Sequence, residues 1–506
     1  MSENEARAEG ASFRGIVRAT SLLGGVSVIN VVASIVRTKL VALVLGPAGI
    51  GLIGLFQNLL GTASAVAGLG INTVGTRQIA EASASEDEAE LLQASQALFW
   101  GTLLLAIVGG LTFFLLRAPL SKALTGDVQH AGAIGWLSLG LVAIVLAGSQ
   151  VALLTGLRRL RALAEIGVTT AIMSIVAAGI TLYVVPSRWI VIVYLVSAPV
   201  IALLVGQWVV WRQWSARPGR IPWLALRRHW VGMARIGFWF TITGLISAVL
   251  MLGARAVLAR TLGPASLGQF QASWAISSMY LSVILQAMGS DYYPRLTMII
   301  TDRAEVNRTV NSQTEALLLM ASPIILGTLA AAPIIVRLLY SSAFADAAWI
   351  LRWQVLGDVL KLAAWPMSFV LLAAGAGRRF FLTDTMAPLV MVSFLWVATP
   401  SLGVIASGLV FLIMYGVYLP TVFVVVRQRT GFLWSRRVVL LLVQTFAGGV
   451  LILGAAALSE TAALVVGIVA VLASAAQLVF RLTHNDSLAA GPLAKIGCWT
   501  KAIVGK

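Results

Sequence analysis

Charge is what this sequence has little of. Asp, Glu, Lys and Arg together make 11% of 506 residues, against about 25% in ordinary soluble domains. Acids are the scarcer half, 19 against 36 Lys plus Arg. Cys498 is the only cysteine, so no disulfide can close within the chain. The three histidines, His130, His229 and His484, are scattered near expected loops, which speaks against a His-based metal site or triad. No GxxxxGK[ST] phosphate loop occurs, so direct ATP hydrolysis is not expected. No connection between apolar stretches exceeds roughly twenty residues, which leaves little on which to assemble a catalytic centre. A polytopic glycan polymerase or glycosyltransferase is therefore the weaker alternative of another class, and the chain is read as a non-enzyme.

Long apolar runs are what is there. Hydrophobic residues make 59% of the chain, and the mean hydropathy is +0.93. Runs of more than 18 apolar residues recur, each able to cross about 30 Å of hydrocarbon as a helix. They are continuous rather than alternating, which excludes a transmembrane barrel. The expected fold is an all-α polytopic membrane protein with about fourteen spans. They lie approximately at 16–45, 49–75, 91–116, 132–155, 163–185, 189–211, 231–258, 267–291, 315–339, 347–374, 379–398, 402–426, 438–458 and 461–481. The polar first dozen residues carry Glu3, Glu5 and Glu9 and lack the basic start of a cleavable signal, so the first span is expected to be retained.

The net charge of +17 is no nucleic-acid signal, because the cations lie in short loops. Every second connection is rich in Arg: Arg158, Arg159 and Arg161; Arg212, Arg217, Arg220, Arg227 and Arg228; Arg295, Arg303 and Arg308; Arg378 and Arg379; Arg427, Arg429, Arg436 and Arg437. The positive-inside rule puts these loops and both termini in the cytoplasm. The connection after the second span carries Arg77 but also Glu81, Glu86, Asp87, Glu88 and Glu90. The longest basic connection, 212–230, interleaves Arg with Trp211, Trp214, Trp223 and Trp230, as an interfacial linker would. It divides the chain into a first lobe, 1–211, and a second, 231–426, each of six spans. Two further spans and a tail occupy 427–506.

An internal repeat supports this division. LGPAGIG at 45–51 matches LGPASLG at 262–268, and the helices leading into them carry Arg37 and Arg255. Gly70 and Arg77 answer Gly289 and Arg295 with a small slip. The copies run parallel, an arrangement in which transporters place cargo between the repeats. A cation inside a membrane span costs at least about 2.5 to 3.5 kcal/mol, and so marks a cavity, a pathway or a partner.

In the first span Ser27, Asn30, Ser34 and Arg37 are three or four apart and share one face, read either as a helix seam or as a cavity wall. Thr243, Ser247 and Arg255 form a looser stripe in the seventh span, and Gln57, Asn58 and Asn72 are polar positions of the second. In the tenth span Asp358 and Lys361 are three apart, with Arg352 two turns earlier. They are either a self-neutralising pair or the place where ion flow couples to transport. Glu165, Asp291 and Glu315 fall near expected cytoplasmic helix ends.

RTKLVALVLGPAGIGLIGLFQNLL at 37–60, followed by GLGINTVGTRQIAEA at 68–82, resembles the start of an O-antigen flippase of the Wzx type. These flippases are a polysaccharide-transporter branch of the multidrug/oligosaccharidyl-lipid/polysaccharide exporter superfamily. The later half matches by span plan more than by motif. The resemblance implies two pseudo-symmetric six-helix lobes around a central cavity and alternating access between cytoplasm and periplasm, in a bacterial inner membrane. It implies an oligosaccharide carried on undecaprenyl pyrophosphate as cargo, membrane lipids as surroundings, and a polysaccharide polymerase with its chain-length machinery as partners. It also implies that cationic residues on the first helix of each lobe, here Arg37 and Arg255, take the pyrophosphate. Asn30, Ser34, Asn58 and Asn72 are expected to serve the sugar. No cofactor is expected beyond coupling to protons or sodium, with Asp358, Lys361 and Arg352 as candidates. A multidrug antiporter and a peptidoglycan lipid-precursor flippase of the same superfamily are the nearer alternatives.

Overall fold

The computed structural model describes residues 3–85, 87–213 and 223–484. Side chains are described for these except 3–24, 28, 71–73, 188, 223–243, 283 and 286–291. The described residues are almost wholly helical and contain no strand. By contact the chain divides into two compact units, Met1–Ala256 and Val257–Lys506. Residues 231–256, which the linker position assigns to the second lobe, cluster with the first unit. Residues 214–222 of that linker lie outside the described residues.

The first unit holds α1 (Glu3–Gly68), α2 (Ile71–Ala84), α3 (Glu88–Leu115), α4 (Arg117–Thr125), α5 (Ala131–Gly156), α6 (Leu160–Val184), α7 (Ser187–Gln213) and the start of α8 (Trp223–Ile299). The second holds the rest of α8, then α9 (Arg303–Ala330), α10 (Ala332–Leu339), α11 (Ala345–Ala373), α12 (Gly377–Leu402), α13 (Ala406–Thr430), α14 (Arg436–Leu458) and α15 (Glu460–His484). Eleven helical stretches among the described residues are long and apolar enough to cross a membrane. Three of them run through a break where the pattern of apolar runs places a turn between successive spans. Gly46 (φ 61°), Gly263 (φ 83°) and Gly403 (φ 59°) stand at these breaks. A positive φ costs glycine little, and Pro47 and Pro264 follow as residues suited to the first turn of the next helix.

The repeat extends well beyond the Gly-Pro turn. Asp87 caps α3 by accepting hydrogen bonds from the N–H groups of Ala89 (2.9 Å) and Glu90 (3.3 Å). Asp302 caps α9 in the same way, from Ala304 (2.9 Å) and Glu305 (3.1 Å). Both capped helices are 28 residues long. A single residue, Leu116 or Ala331, then separates each from a short helix, α4 or α10. Two turns of sequence with little overall similarity thus reproduce the same cap, the same length and the same stop.

The connection after the second span is not a loop. RQIAEA lies on α2, which begins after left-handed Gly70. Its apolar face, Val74, Ile79 and Ala82, packs with Ala94, Leu98 and Ala152. Arg77 and Glu81 pair across the exposed face at 2.7 Å. Gly156 permits the close approach of α5: a Cβ there would stand 2.7 Å from the Ile79 side chain.

The two C-terminal helices are built into the second unit. Gly467 on α15 lies so close to α9 that an added Cβ would fall 2.1 Å from the Ala330 Cβ. Ser322 on α9 and Thr445 on α14 share a buried hydrogen bond of 2.7 Å. The opposite face of α15 exposes Val465, Ile468, Val469 and Leu472, as a lipid-facing surface does. Gly467→Leu should therefore push α15 off α9 and cost about 1–3 kcal/mol, read as a lower thermal midpoint in detergent. An unchanged midpoint would contradict this packing.

Candidate functional site

The first half of α1 has two exposed arcs, and they differ in chemistry. Ile29, Val32, Val36, Leu40 and Leu43 form an exposed apolar arc. Ser27, Asn30 and Ser34 are also exposed, but their stripe lies about 140° round the helix at 100° per residue. Ala33, between the two arcs, is buried. One arc suits lipid and the other does not, because exposed polar groups in hydrocarbon are unfavourable. The stripe is thus exposed on a face that does not suit lipid.

Arg37 ends this polar stripe. It is half-buried, and its guanidinium lies over the Tyr194 ring of α7, 5.4 Å from the centroid. Its Nε is buried without a hydrogen-bond partner, and no ion pair to it occurs among the described residues. Stacking seats the cation while leaving donor capacity unused, an arrangement suited to an incoming anion. Gly167 on α6 allows α1 to approach at this level, since a Cβ there would meet Val26 at 2.8 Å and the Asn30 amide at 3.6 Å.

Arg255 differs. It is 3% exposed and donates to the Met251 carbonyl one turn back on α8, at 3.1 Å. It is thus enclosed, not open to water as the repeat had suggested. Asn58 is half-buried and Gln57 exposed. Near them Thr62 donates to the Asn58 carbonyl at 2.9 Å and reaches the Ala248 carbonyl of α8 at 3.5 Å. The side chains of Asn72, Thr243 and Asp291 lie outside the described residues.

In the second unit a polar seam joins α8 to α11. Gln269 accepts from the Ala347 N–H (3.1 Å) and donates to the Ala343 carbonyl (2.9 Å), capping the start of α11. Further along, Ser277 (2.7 Å) and Tyr280 (2.5 Å) both donate to Oδ2 of Asp358. Asp358 is fully buried, and its Oδ1 has no partner. Gln354, one turn earlier on the same face, is fully buried with both amide atoms unpartnered. Lys361 interacts electrostatically with Asp358, and its ammonium lies 5.7 Å from the Tyr415 ring centroid. Buried polar atoms without partners are uncommon, and mark places where water or an ion is accommodated. The seam holds the Asp358–Lys361 pair and more: it carries unused ligand capacity around one carboxylate.

Arg352 does not share this surplus. Buried completely, it donates Nε to the Leu329 carbonyl (3.2 Å) and Nη1 and Nη2 to the two carboxylate oxygens of Glu460 (3.1 and 2.5 Å). Its guanidinium also lies over Trp349, 4.9 Å from the centroid. It fastens the start of α15 to α9 and α11, so its role is structural and it leaves the coupling candidates. Glu460→Gln should destabilise the unit by about 1–2 kcal/mol, since the buried guanidinium loses its counter-charge while water reaches the half-exposed side of the pair. The double change with Arg352→Met should recover most of the loss. Thermal unfolding of the three variants checks this, and a double variant no better than Glu460→Gln would contradict it.

Several residues had no individual signal in the sequence. Tyr194 is one aromatic among many in an apolar span. Ser277 and Tyr280 could have been found only as a continuation of Gln269 and Ser273 at helical spacing. Glu165 ion-pairs with Arg212 at 2.7 Å, which fits a helix end. Glu315 does not: it is 8% exposed, and its Oε1 is buried without a partner. No group of three or more His, Cys, Asp or Glu able to hold a metal occurs among the described residues.

Comparison with known proteins gives a concordant result. A family described as "Polysaccharide biosynthesis protein" matches residues 40–349. The lipid III flippase of Escherichia coli (strain K12) is 23% identical over 399 residues, covering 78% of this chain and 93% of that protein. Among solved structures, the lipid II flippase MurJ in an inward closed conformation superposes with a TM-score of 0.67 at 12% identity, covering 92% of this chain and 99% of that one. An inward-facing multidrug resistance MATE transporter of the MOP superfamily gives 0.64 at 17% identity, covering 79% and 94%. At these identities the structures show a shared fold.

Proposed function

The chain belongs to the polysaccharide biosynthesis protein family, and from that membership we propose that it is a flippase for an undecaprenyl-pyrophosphate-linked oligosaccharide. The cargo is the repeat unit of an O-antigen or a related surface polysaccharide. It enters from the cytoplasmic leaflet of the inner membrane and leaves in the periplasmic leaflet by alternating access. The observation that carries this reading is the polar stripe of α1, exposed away from the lipid-suited arc and ending in Arg37, which is seated on Tyr194 and has no partner at Nε. Arg37 takes the pyrophosphate, since guanidinium is permanently charged and offers several donors to phosphate oxygens. Asn30, Ser34 and Asn58 serve the neutral part of the headgroup. Arg255, enclosed here, acts in a conformation that opens it. Asp358, with its unfilled Oδ1 and the neighbouring Lys361, is where a proton or sodium ion couples to transport.

The experiment is genetic. Deletion in the organism of origin should leave lipid-linked repeat units unpolymerised in the inner leaflet and remove the surface polysaccharide, with plasmid-borne restoration. Normal surface glycan in the deletion strain would reject the reading.

A second reading has a specific observation behind it. The lipid II flippase shares this fold over 99% of its chain, and the peptidoglycan lipid precursor, the cargo in that protein's name, is the second candidate. Rescue of a strain depleted of its lipid II flippase would favour it over the O-antigen class.

A further inference from the structure

One face of α11 changes character along its length. Gln354, Asp358, Lys361, Trp365 and Phe369 fall within about 80° of one another at 100° per residue. The first two are fully buried; Lys361, Trp365 and Phe369 are half-buried. Charged groups in mid-span do not face lipid, so the rings that continue their stripe do not face it either. In contrast, Trp396 on α12 is 70% exposed, as a lipid-facing ring would be.

The two rings belong to a four-ring cluster with the end of α8. Trp365 and Phe369 stand 4.5 Å apart between centroids. Tyr292 stacks on Trp365 at 6.2 Å and 29°, and Tyr293 meets Phe369 edge-on at 5.9 Å. Tyr292 is buried, and its hydroxyl donates to the Pro366 carbonyl at 2.9 Å, fixing the base of the cluster. Trp365, Phe369 and Tyr293 stay half-open above it.

We propose that this aromatic face of α11, with Tyr293 and Lys361 at its edges, is the platform on which the saccharide of the cargo stacks. The inference rests on the flippase reading and adds the recognition of the sugar ring. A pyranose has an apolar face of C–H groups and an edge of hydroxyls. The negative face of an aromatic ring attracts the former, and indole N–H, phenol and ammonium groups serve the latter. Half-open rings braced from below provide rigid area at little entropic cost. Stacking depends on ring shape more than on one hydroxyl pattern, so the platform recognises a hexose-type ring as a class.

The test is binding to the full chain in lipid nanodiscs, with two probes: farnesyl pyrophosphate, and farnesyl pyrophosphate bearing N-acetylglucosamine. Wild type should bind the sugar-bearing probe more tightly. Trp365→Leu should weaken that probe about 5- to 10-fold, the loss of one aromatic contact, and leave the sugar-free probe unchanged. Trp365→Phe should restore most of the difference, and Phe369→Leu provides a second variant if Trp365→Leu does not fold. Equal weakening of both probes, or no change in either, would overturn the platform while leaving the flippase reading intact. Wild type that binds neither probe would remove both.

Discussion

Replacing Arg37 by alanine is expected to abolish transport while leaving the protein inserted and folded. The two outcomes separate because the residue contributes so little to the structure around it. Its guanidinium rests on Tyr194 and its Nε has no partner. A cation at this depth costs about 2.5 to 3.5 kcal/mol on insertion scales, so alanine should insert at least as well. What alanine removes is the charge-assisted bonding to a phosphate, worth about 1.5 to 3 kcal/mol per bond. Pyrophosphate affinity should fall by about 10- to 100-fold, and export with it. Arg37→Lys keeps the charge but loses the planar fork, and should retain only part of the activity. Tyr194→Leu should give an intermediate loss by unseating the guanidinium, and Tyr194→Phe, which keeps the ring but loses the hydroxyl that meets Arg37, a smaller one. Membrane abundance and thermal midpoint, measured beside surface-glycan yield, complete the comparison. Export by Arg37→Ala at the wild-type level would remove Arg37 from the site.

Asp358→Asn is expected to uncouple transport from the ion gradient. Asparagine has nearly the shape of aspartate, and its carbonyl oxygen can still accept from Ser277 and Tyr280. The seam between α8 and α11 should therefore hold, and the ionisable group alone is lost. Lys361 is then left without its nearby anion, so Asp358→Asn with Lys361→Met is the companion variant that removes any stranded charge. In vesicles with an imposed pH or sodium gradient, Asp358→Asn should transport at the gradient-free rate of wild type, and the double variant should likewise ignore the gradient, at a rate lowered by loss of the Lys361 ammonium. An undiminished response to the gradient in both would exclude Asp358 from coupling.

The helical plan was legible because the bilayer forces it: long apolar runs, Gly-Pro breaks and Arg-rich connections each have a single cheap physical solution. Arg37 was legible for the same reason, since an intramembrane cation with polar residues at i−3, i−7 and i−10 does not go unnoticed. The amphipathic α2 was not, because RQIAEA is short and charged and reads as a connection until Ile79 is seen buried against α3 and α5. Arg352 misled through proximity in sequence. Two turns from Asp358, it nevertheless turns to Glu460, 108 positions away, and no local spacing announces that pairing. Arg255 misled through symmetry, for the repeat fixes its place on a helix but not how deeply its neighbours enclose it. The aromatic face of α11 escaped because Trp365 and Phe369 look like any rings in a membrane span. Only the charged residues on the same face show that lipid is not their partner.

The most direct measurement uses the purified chain in sealed vesicles loaded with an undecaprenyl-pyrophosphate-linked oligosaccharide, following how fast inner-leaflet sugar becomes accessible to an external glycosidase. The account predicts rapid exposure with wild type, and exposure no faster than in protein-free vesicles with Arg37→Ala. Equal rates for wild type and Arg37→Ala, or a wild type no faster than protein-free vesicles, would contradict it.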